Sequence, residues 1–264
     1  MAIELKVMSF NSRVAVKVDG INSFWNRTER ILAMIQAEDP DIIGLQEVTP
    51  EMQEWYVDHL DDYTVVGIGR EKGYRGESTA VAFKKRLLSL ISADSLMLSS
   101  TPHVHGSLYE GTDQSRCPRI YTKLLLKHRA LDEPFWIYNL HTDHQGAVAR
   151  QMACLQVLQD ISMQSFPAIV TGDFNAQPDA LEIHLFTASS ACPLVDTTES
   201  LGGTFHNFGR LAEKWKIDYV FASPSLRVLR SAVVEDDGVE GVYFSDHHPI
   251  YTVFSMGTNS DDQA

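Results

Sequence analysis

The chain has 264 residues and a formal net charge of −13, with 44% hydrophobic and 22% charged residues. These proportions are ordinary for a folded soluble protein, and the acidic balance argues against a non-specific binder of long nucleic acid, which needs a basic surface. No apolar run approaches the roughly 18 residues of a membrane span.

Residues 1–10 lack the basic start and apolar block of a signal peptide. The three cysteines are widely spaced, which argues against a disulfide framework and fits a reducing compartment. We therefore expect a cytoplasmic protein, although a leader removed earlier would leave no trace in this sequence.

The hydrophobic patterns predict strands interleaved with helices and no internal repeats. In chain order we predict a strand at 4–11, helix 23–39, strand 41–47, helix 51–60, strands 63–68, 79–83, 120–126 and 135–140, helix 146–164, strand 168–170, helix 179–188, and strands 217–222, 226–234 and 250–254. Segments 94–118 and 197–216 are too polar and Gly-rich for strands, so we predict long loops, which usually carry function. Consecutive strands between helices favour two face-to-face sheets with helices outside.

Polar side chains stand where the predicted strands end: Asn11, Glu47, His141, Asp173, Asn175, Asp218 and His247. Hydrolysis of a phosphate ester requires such a set, because a hard divalent cation binds oxygen ligands and an imidazole–carboxylate pair can activate water. Either of the two densest runs, 171–175 and 245–249, could by itself equally be a turn with a satisfied polar cluster.

In the run 171–175 we expect Gly172 to permit a sharp turn and the close approach of a ligand. Asp173 and Asn175 would point the same way if strand geometry continued through them.

Eight short segments agree in order and spacing with one known family. They are MSFNSR at 8–13, LQEV at 45–48, GIGR at 67–70 with GE at 76–77, NLHTDH at 139–144, GDFN at 172–175, GTF at 203–205, IDY at 217–219 and SDH at 245–247. Through them the chain resembles the endonuclease/exonuclease/phosphatase superfamily, which has the deoxyribonuclease I-like fold, over residues 3 to about 255. The stretch 70–77, with Gly106, Ser107 and Arg119, resembles the bacterial branch related to deadenylase-like proteins.

The resemblance implies an α/β fold: a four-layered sandwich of two packed mixed β-sheets flanked by helices. We expect residues 1–256 to form a single domain and 257–264 a flexible acidic tail. The resemblance also implies a Mg²⁺ site, for which Mn²⁺ could substitute, with Glu47 as the principal ligand and Asn11 and Asp246 close by.

For catalysis the resemblance implies that His247 is the general base or orients the attacking water, and that Asp218 holds it. Asp173 would help align the nucleophile and Asn175 would hold a phosphate oxygen. His141, paired with Glu77, would stabilise the charge of the phosphorane-like transition state.

The substrate contacts are expected from the segments around this centre. Arg119, just before a strand, would reach a phosphate. The two long loops would wall the site and place these further side chains at its mouth: Tyr109, Phe205, His206 and Arg210. A walled, acidic protein favours a small phosphorylated molecule or the end of a short oligonucleotide over long duplex DNA.

The sequence therefore predicts a divalent-metal-dependent phosphoesterase, favoured to be monomeric, with no membrane partner. One alternative is a 3′–5′ exoribonuclease of the deadenylase-like type. The other is a catalytically silent binding scaffold, which should have lost at least one of the predicted catalytic residues, and none is missing.

Overall fold

The computed structural model describes residues 2–190 and 192–257. Its elements in chain order are β1 (Ile3–Asn11), a 3₁₀ helix (Lys17–Asn22), α1 (Phe24–Glu38), β2 (Ile42–Gln46), α2 (Pro50–His59), β3 (Tyr63–Val66), β4 (Val81–Lys84), β5 (Leu88–Met97), β6 (Ile120–His128), β7 (Phe135–His141), α3 (Ala147–Ser162), β8 (Ala168–Asp173), α4 (Leu181–Ala188), β9 (Val195–Asp196), β10 (Asp218–Ala222), β11 (Arg227–Val233) and β12 (Ile250–Met256).

The strands form two six-stranded mixed sheets. The first has the order β11-β12-β1-β2-β4-β3 and the second β5-β6-β7-β8-β10-β9. Each sheet has one parallel pair at its centre, β1 with β2 and β7 with β8, and the other neighbours are antiparallel. A helix connects the strands of each parallel pair, α1 in the first sheet and α3 in the second.

Three buried apolar clusters separate four layers. One joins residues of both sheets, such as Leu5, Ile42, Leu124 and Ile169, so it fills the space between them. Another packs α1 and α2 on the first sheet, and the third packs α3 and α4 on the second. The predicted four-layered α/β sandwich is therefore confirmed.

The topology brings several chain segments to one edge of the sandwich. The carboxyl ends of a parallel pair lie at the same sheet edge, so the ends of β1 and β2 are neighbours, with Asn11 opposite Gln46. In the second sheet His141 is opposite Asp173 at the ends of β7 and β8. The antiparallel strand β10 begins at this edge, since its first residue, Asp218, is also opposite Asp173.

Gly172 has a different role from the one predicted. It lies inside β8, and a Cβ at this position would be 2.4 Å from the carbonyl oxygen of Leu140 in β7. The glycine is therefore required by a neighbouring strand rather than by a turn or a ligand. Strand geometry ends at Asp173, and Asn175 has a left-handed backbone with φ of 46°, so these two side chains do not continue one strand face.

One strand was missed: residues 88–93 were assigned to no element, and 94–97 were wrongly predicted to begin a loop. β5 extends to Met97, so the first residues of the expected loop 94–118 pair with β6. β5 lies at the edge of its sheet, and its middle is exposed and rich in Ser, Ala and Asp, so it lacks the apolar alternation of a half-buried strand. The expected tail, apart from Gly257, lies outside the described residues. Among the described residues, no helix has the length and apolar character that crossing a membrane requires.

Candidate active site

A cleft of about 510 Å³ opens at the sheet edge where these strand ends meet. Nine of the residues predicted from the sequence line it: Glu47, Glu77, Arg119, His141, Asp173, Asn175, Phe205, Asp246 and His247. Asn11 and Asp218 lie directly behind this lining and are hydrogen-bonded to it. The cleft therefore gathers most of the predicted site from segments far apart in the sequence.

A buried imidazole–carboxylate pair stands at the centre of the cleft. Nδ1 of His247 is 2.8 Å from Oδ2 of Asp218, and the Thr204 hydroxyl donates to the same carboxylate oxygen. Burial by itself would lower the pKa of His247, but the charges of Asp218, Asp173 and Asp246 outweigh it and raise that pKa to about 10. In the protein without metal, His247 is therefore an imidazolium.

Asp173 stands between two imidazoles. Its Oδ2 is 3.8 Å from Nε2 of His247 and 3.6 Å from Nε2 of His141. Burial, followed by the charge of Asp218, raises the pKa of Asp173 to about 7. The backbone N–H of Asn175 donates to its Oδ1 at 2.8 Å, and the Asn11 amide donates to its Oδ2 at 2.9 Å. These contacts fix the orientation of the carboxylate.

His141 differs from His247 in its charge state. Burial lowers its pKa well below the usual value, and the nearby charges of Arg119 and Arg70 lower it further. His141 is thus a neutral imidazole at neutral pH. The predicted partnership of His141 with Glu77 is wrong, because Glu77 forms a salt bridge with Arg70 at 2.8 Å and the carboxylate beside His141 is Asp173.

Glu47 and Asp246 form the acidic part of the cleft. Glu47 has a left-handed backbone with φ of 62°, and its Oε2 accepts a hydrogen bond from the Val14 N–H at 2.8 Å. Although burial acts to raise it, the pKa of Glu47 is lowered by Arg13 and by this N–H. Asp246 is buried, and its pKa is raised by burial and by the charge of Glu47. A cation between these carboxylates would relieve their repulsion.

The donor set fits a hard divalent cation. Glu47 and Asp246 offer carboxylate oxygens, and the amide of Asn11 bridges Glu47 and Asp173 at 3.2 and 2.9 Å. Oxygen donors are the ligands that Mg²⁺ prefers. A neighbouring group, Asp173, Asp218 and His247, has its ligand atoms within 4.8 Å of one another and could also hold a cation, which would take the place of the proton on the imidazole.

Two predicted substrate contacts lie elsewhere. Tyr109 is buried in the core against α3, and its hydroxyl donates to Gln156, so it does not reach the cleft. His206 is 2% exposed and stacks on His248 with ring centroids 4.1 Å apart. Aromatic and imidazole side chains in loops often anchor those loops to the core, and the sequence could not distinguish that role from substrate contact.

Several cleft residues had no predicted role. Arg13 lies 3.6 Å from Asp246 and also pairs with Asp19, and Arg70 lies in the segment 70–77. Trp215 lines the cleft while 47% exposed, beside Phe205 at a centroid distance of 5.6 Å. The sequence did contain one signal for Trp215: it is an aromatic residue in a polar loop, just before the strand that begins at Asp218. The arginines stood inside the recognised segments.

Together these layers and strand-end residues define a deoxyribonuclease I-like α/β sandwich with a hydrolytic type of site. The chain matches the model of the Endonuclease/Exonuclease/phosphatase family over residues 8–247, and it belongs to that family. The members of this family are phosphoesterases and nucleases that commonly use a divalent metal.

Three solved structures illustrate the similarity. The endonuclease/exonuclease/phosphatase of Bacteroides vulgatus is 26% identical, with a TM-score of 0.89 over 97% of this chain and 100% of its own. A mannosyl-6-phosphatase of Bacteroides thetaiotaomicron is 30% identical, with a TM-score of 0.84 over 94% of this chain and 98% of its own. The human Nocturnin catalytic domain is 21% identical, with a TM-score of 0.73 over 96% of this chain and 93% of its own, and it shares the fold.

Proposed function

We propose that this chain is a Mg²⁺-dependent phosphoesterase that hydrolyses a small phosphorylated molecule or the phosphorylated end of an oligonucleotide. The observation that carries this proposal is the buried His247–Asp218 pair, at 2.8 Å, which faces Asp173 in the same cleft as Glu47 and Asp246. An oriented imidazole beside a set of oxygen donors suits the attack of water on a phosphate ester.

In this proposal Glu47 and Asp246 hold the metal, with Asn11 beside them, and Mn²⁺ can substitute. When bound, the cation supplies positive charge to phosphate oxygens and lowers the pKa of water. Asn11 also keeps Glu47 in place, since its amide donates to Oε1 of Glu47 at 3.2 Å. The Ser245 hydroxyl donates to Oδ1 of Asp246 at 3.2 Å and steadies the second ligand.

The remaining side chains would position water and phosphate. Asp218 fixes the tautomer and orientation of His247, which orients the water and exchanges protons with it. Asp173, with a pKa of about 7, lies 3.8 Å from His247 and can accept a proton near neutral pH. Neutral His141 and the amide of Asn175 would donate hydrogen bonds to phosphate oxygens.

The substrate proposal rests on charge and on one relative. A net charge of −13 disfavours a long polyanion. The relative at 30% identity is a mannosyl-6-phosphatase, a protein named for action on a small phosphorylated sugar. The likeness to Nocturnin, at 21% identity, shows the fold alone and gives the exoribonuclease alternative no further support. The scaffold alternative loses support because the predicted catalytic set is assembled in one cleft.

A substrate screen tests the proposal. Small phosphomonoesters, phosphodiesters and short oligonucleotides are incubated with the protein and Mg²⁺ or Mn²⁺, with Asp218→Asn as the matched inactive control. We expect metal-dependent release of phosphate or of a shortened product by the wild type, and a loss of at least about 100-fold in the variant. Absence of hydrolysis of every class in both metals would contradict the proposal.

A further inference from the structure

Two arginines occupy one part of the cleft. Arg70 and Arg119 both line it, although their side chains are buried, with exposures of 8% and 4%. Their charges are close enough to act on each other, since burial and then the charge of Arg70 lower the pKa of Arg119. Two like charges buried together are costly unless an anion compensates them.

The hydrogen bonds of these two arginine side chains use only some of their N–H donors. One nitrogen of Arg70, Nη2, donates to Glu77 at 2.8 Å, and one nitrogen of Arg119, Nη2, is 2.8 Å from Nδ1 of His144. Asp143 is 3.7 Å from Nε of Arg119, beyond hydrogen-bonding distance. Nε of Arg70 and both Nε and Nη1 of Arg119 are buried without an acceptor among the described residues.

Each arginine is held in place independently of any ligand. The backbone N–H of Arg70 donates to Glu77, and its carbonyl accepts from Gly106, which ties the segment 70–77 to the neighbouring loop. The carbonyl of Arg119 accepts from Leu98 at 2.7 Å, just before β6. Buried charged donors rarely lack a hydrogen-bond acceptor in a protein. These three guanidinium nitrogens therefore point to an anionic group that enters the cleft.

We propose that Arg70 and Arg119 bind the terminal oxygens of a phosphate monoester, so that the chain acts on monoesters in preference to diesters. This inference rests on the proposed function and specifies its substrate class. A monoester dianion presents three terminal oxygens, while a diester presents two and carries a second carbon group. In a diester that group would face the buried guanidinium donors, which would then lose their acceptor.

The position of His141 links this pair to the reacting centre. His141 lies 3.6 Å from Asp173 on one side, and the charges of Arg119 and Arg70 act on its imidazole. A phosphoryl group that contacts His141 can therefore also reach Arg70 and Arg119, and it remains in the same cleft as the carboxylates of Glu47 and Asp246. The arginines bind the part of the phosphate that is not attacked.

A binding experiment separates the two ester classes. Titration calorimetry with methyl phosphate and with dimethyl phosphate, at pH 8 and with EDTA so that neither ester is hydrolysed, is carried out on the wild type, Arg119→Gln and Arg70→Gln. The control variants Arg116→Gln and Arg75→Gln remove exposed arginines of the same two segments. We expect the wild type to prefer methyl phosphate, each cleft variant to lose about 10- to 100-fold of that affinity, and the controls to behave as wild type.

Hydrolysis gives the second measurement. The ratio of kcat/KM for p-nitrophenyl phosphate to that for methyl p-nitrophenyl phosphate should be high in the wild type and should fall at least tenfold in Arg119→Gln. Arg119→Lys should recover part of the ratio, because a lysine keeps the charge without the planar fork. Equal losses on both esters, or a wild-type preference for the diester, would overturn the inference.

These two experiments also distinguish failure of the proposed function from failure of the proposed anion site, and they allow for a variant that folds poorly. If the wild type hydrolyses neither ester but binds methyl phosphate through the arginines, the proposed function fails and the assignment of the anion site stands. If Arg119→Gln melts at a much lower temperature than the control, the comparison is made with Arg70→Gln, which lies in the separate segment 70–77.

Discussion

Three buried histidines show how neighbouring charges decide a protonation state. Burial lowers the pKa of His141, His206 and His247 alike, but only His247 has a carboxylate at hydrogen-bonding distance, and only its pKa rises. Because three carboxylates hold its proton, a cation bound at Asp246 would weaken that hold. The state of His247 is therefore tied to the occupancy of the acidic part of the cleft.

The proposed metal site is tested at Glu47. Glu47→Gln keeps the shape of the side chain and removes a charge, so we expect metal affinity to fall by more than about 100-fold. The free energy of unfolding of the metal-free protein should change little. Calorimetric titration with Mn²⁺ measures the affinity, with the exposed Glu51→Gln as control. Unchanged affinity in Glu47→Gln would show that the metal binds elsewhere.

The imidazole–carboxylate pair is tested by its rate effect. His247→Asn and Asp218→Asn should each lower kcat by about 10² to 10⁴, since each removes part of the group that handles the proton of water. The double variant should be little worse than either single one, because the two residues act as a unit. The exposed His103→Asn is the control. Additive losses would indicate two separate roles.

Asp143 provides a pH-dependent prediction. Burial acts to raise its pKa, but hydrogen bonds from the Gly146 and Gln145 N–H groups and from Ser115 lower it from 3.8 to about 2. The ionised form therefore stabilises the folded state above about pH 4, and this contribution is lost as the pH falls toward 2. Asp143→Asn should lower the free energy of unfolding by about 1 to 2 kcal/mol at pH 7.

Urea unfolding at several pH values measures this effect. The difference between wild type and Asp143→Asn should be nearly constant above about pH 4 and should narrow between about pH 4 and pH 3. A difference that stayed constant over this range would show that the carboxylate charge is not the stabilising feature.

At the scale of elements, a polar bridge joins the two sheets beneath the cleft. The Asn139 amide on β7 donates to the carbonyls of Leu45 and Ala80 in the first sheet, at 2.8 and 2.9 Å. Its oxygen accepts from Gln46 at 2.6 Å. A Cβ at Gly44 would be 2.8 Å from that oxygen, so the sheets approach closely there. The bridge sets the distance between the strands that carry Glu47 and His141.

Removing the bridge should therefore affect both stability and activity. Asn139→Leu leaves two buried carbonyls without this donor, and we expect a loss of about 2 to 4 kcal/mol in the free energy of unfolding. Below the melting temperature we also expect a fall in kcat, because Glu47 and His141 are no longer held at their distance. Denaturant unfolding and steady-state kinetics measure the two effects, with the exposed Asn26→Leu as control. A destabilised variant with full kcat would limit the bridge to a structural role.

The sequence predicted the buried elements better than the exposed ones. Strand ends carry chemistry-bearing residues in a regular way, so His141, Asp173 and Asp218 could be placed at one sheet edge before the structure was known. The edge strand β5 could not, since its exposed residues show no alternation. The predicted substrate contacts of Tyr109 and His206 were wrong for another reason. Which side of a long loop faces the cleft depends on tertiary packing, which the sequence pattern does not show.

At the scale of the whole molecule, we expect charge to restrict the substrate. The formal net charge is −13, so acidic side chains outnumber basic ones and the protein as a whole repels a long nucleic acid. The arginines that line the cleft lie inside it and largely buried. We therefore expect a short or terminal phosphate to reach them and the backbone of an intact duplex not to lie along them.

Incubation with competing substrates measures this restriction. With Mg²⁺ present, we expect supercoiled plasmid to remain intact while small phosphoesters or short RNA ends are hydrolysed. Lowering the salt concentration should not produce nicking, since the protein gains no affinity from counterion release. Rapid plasmid nicking with no activity on the smaller substrates would show that the overall charge does not control access.

The left-handed backbone of Glu47 sets folding and chemistry against each other. A non-glycine residue in this conformation costs on the order of 1 kcal/mol, and here the same residue adds a negative charge beside Asp246. Glycine at position 47 would relieve the backbone cost and, in the proposed site, would offer no ligand. With Glu47 as the proposed ligand, selection of this protein for heat resistance alone would therefore favour substitutions that lower its metal affinity, and we expect activity to survive only if each round also selects for turnover.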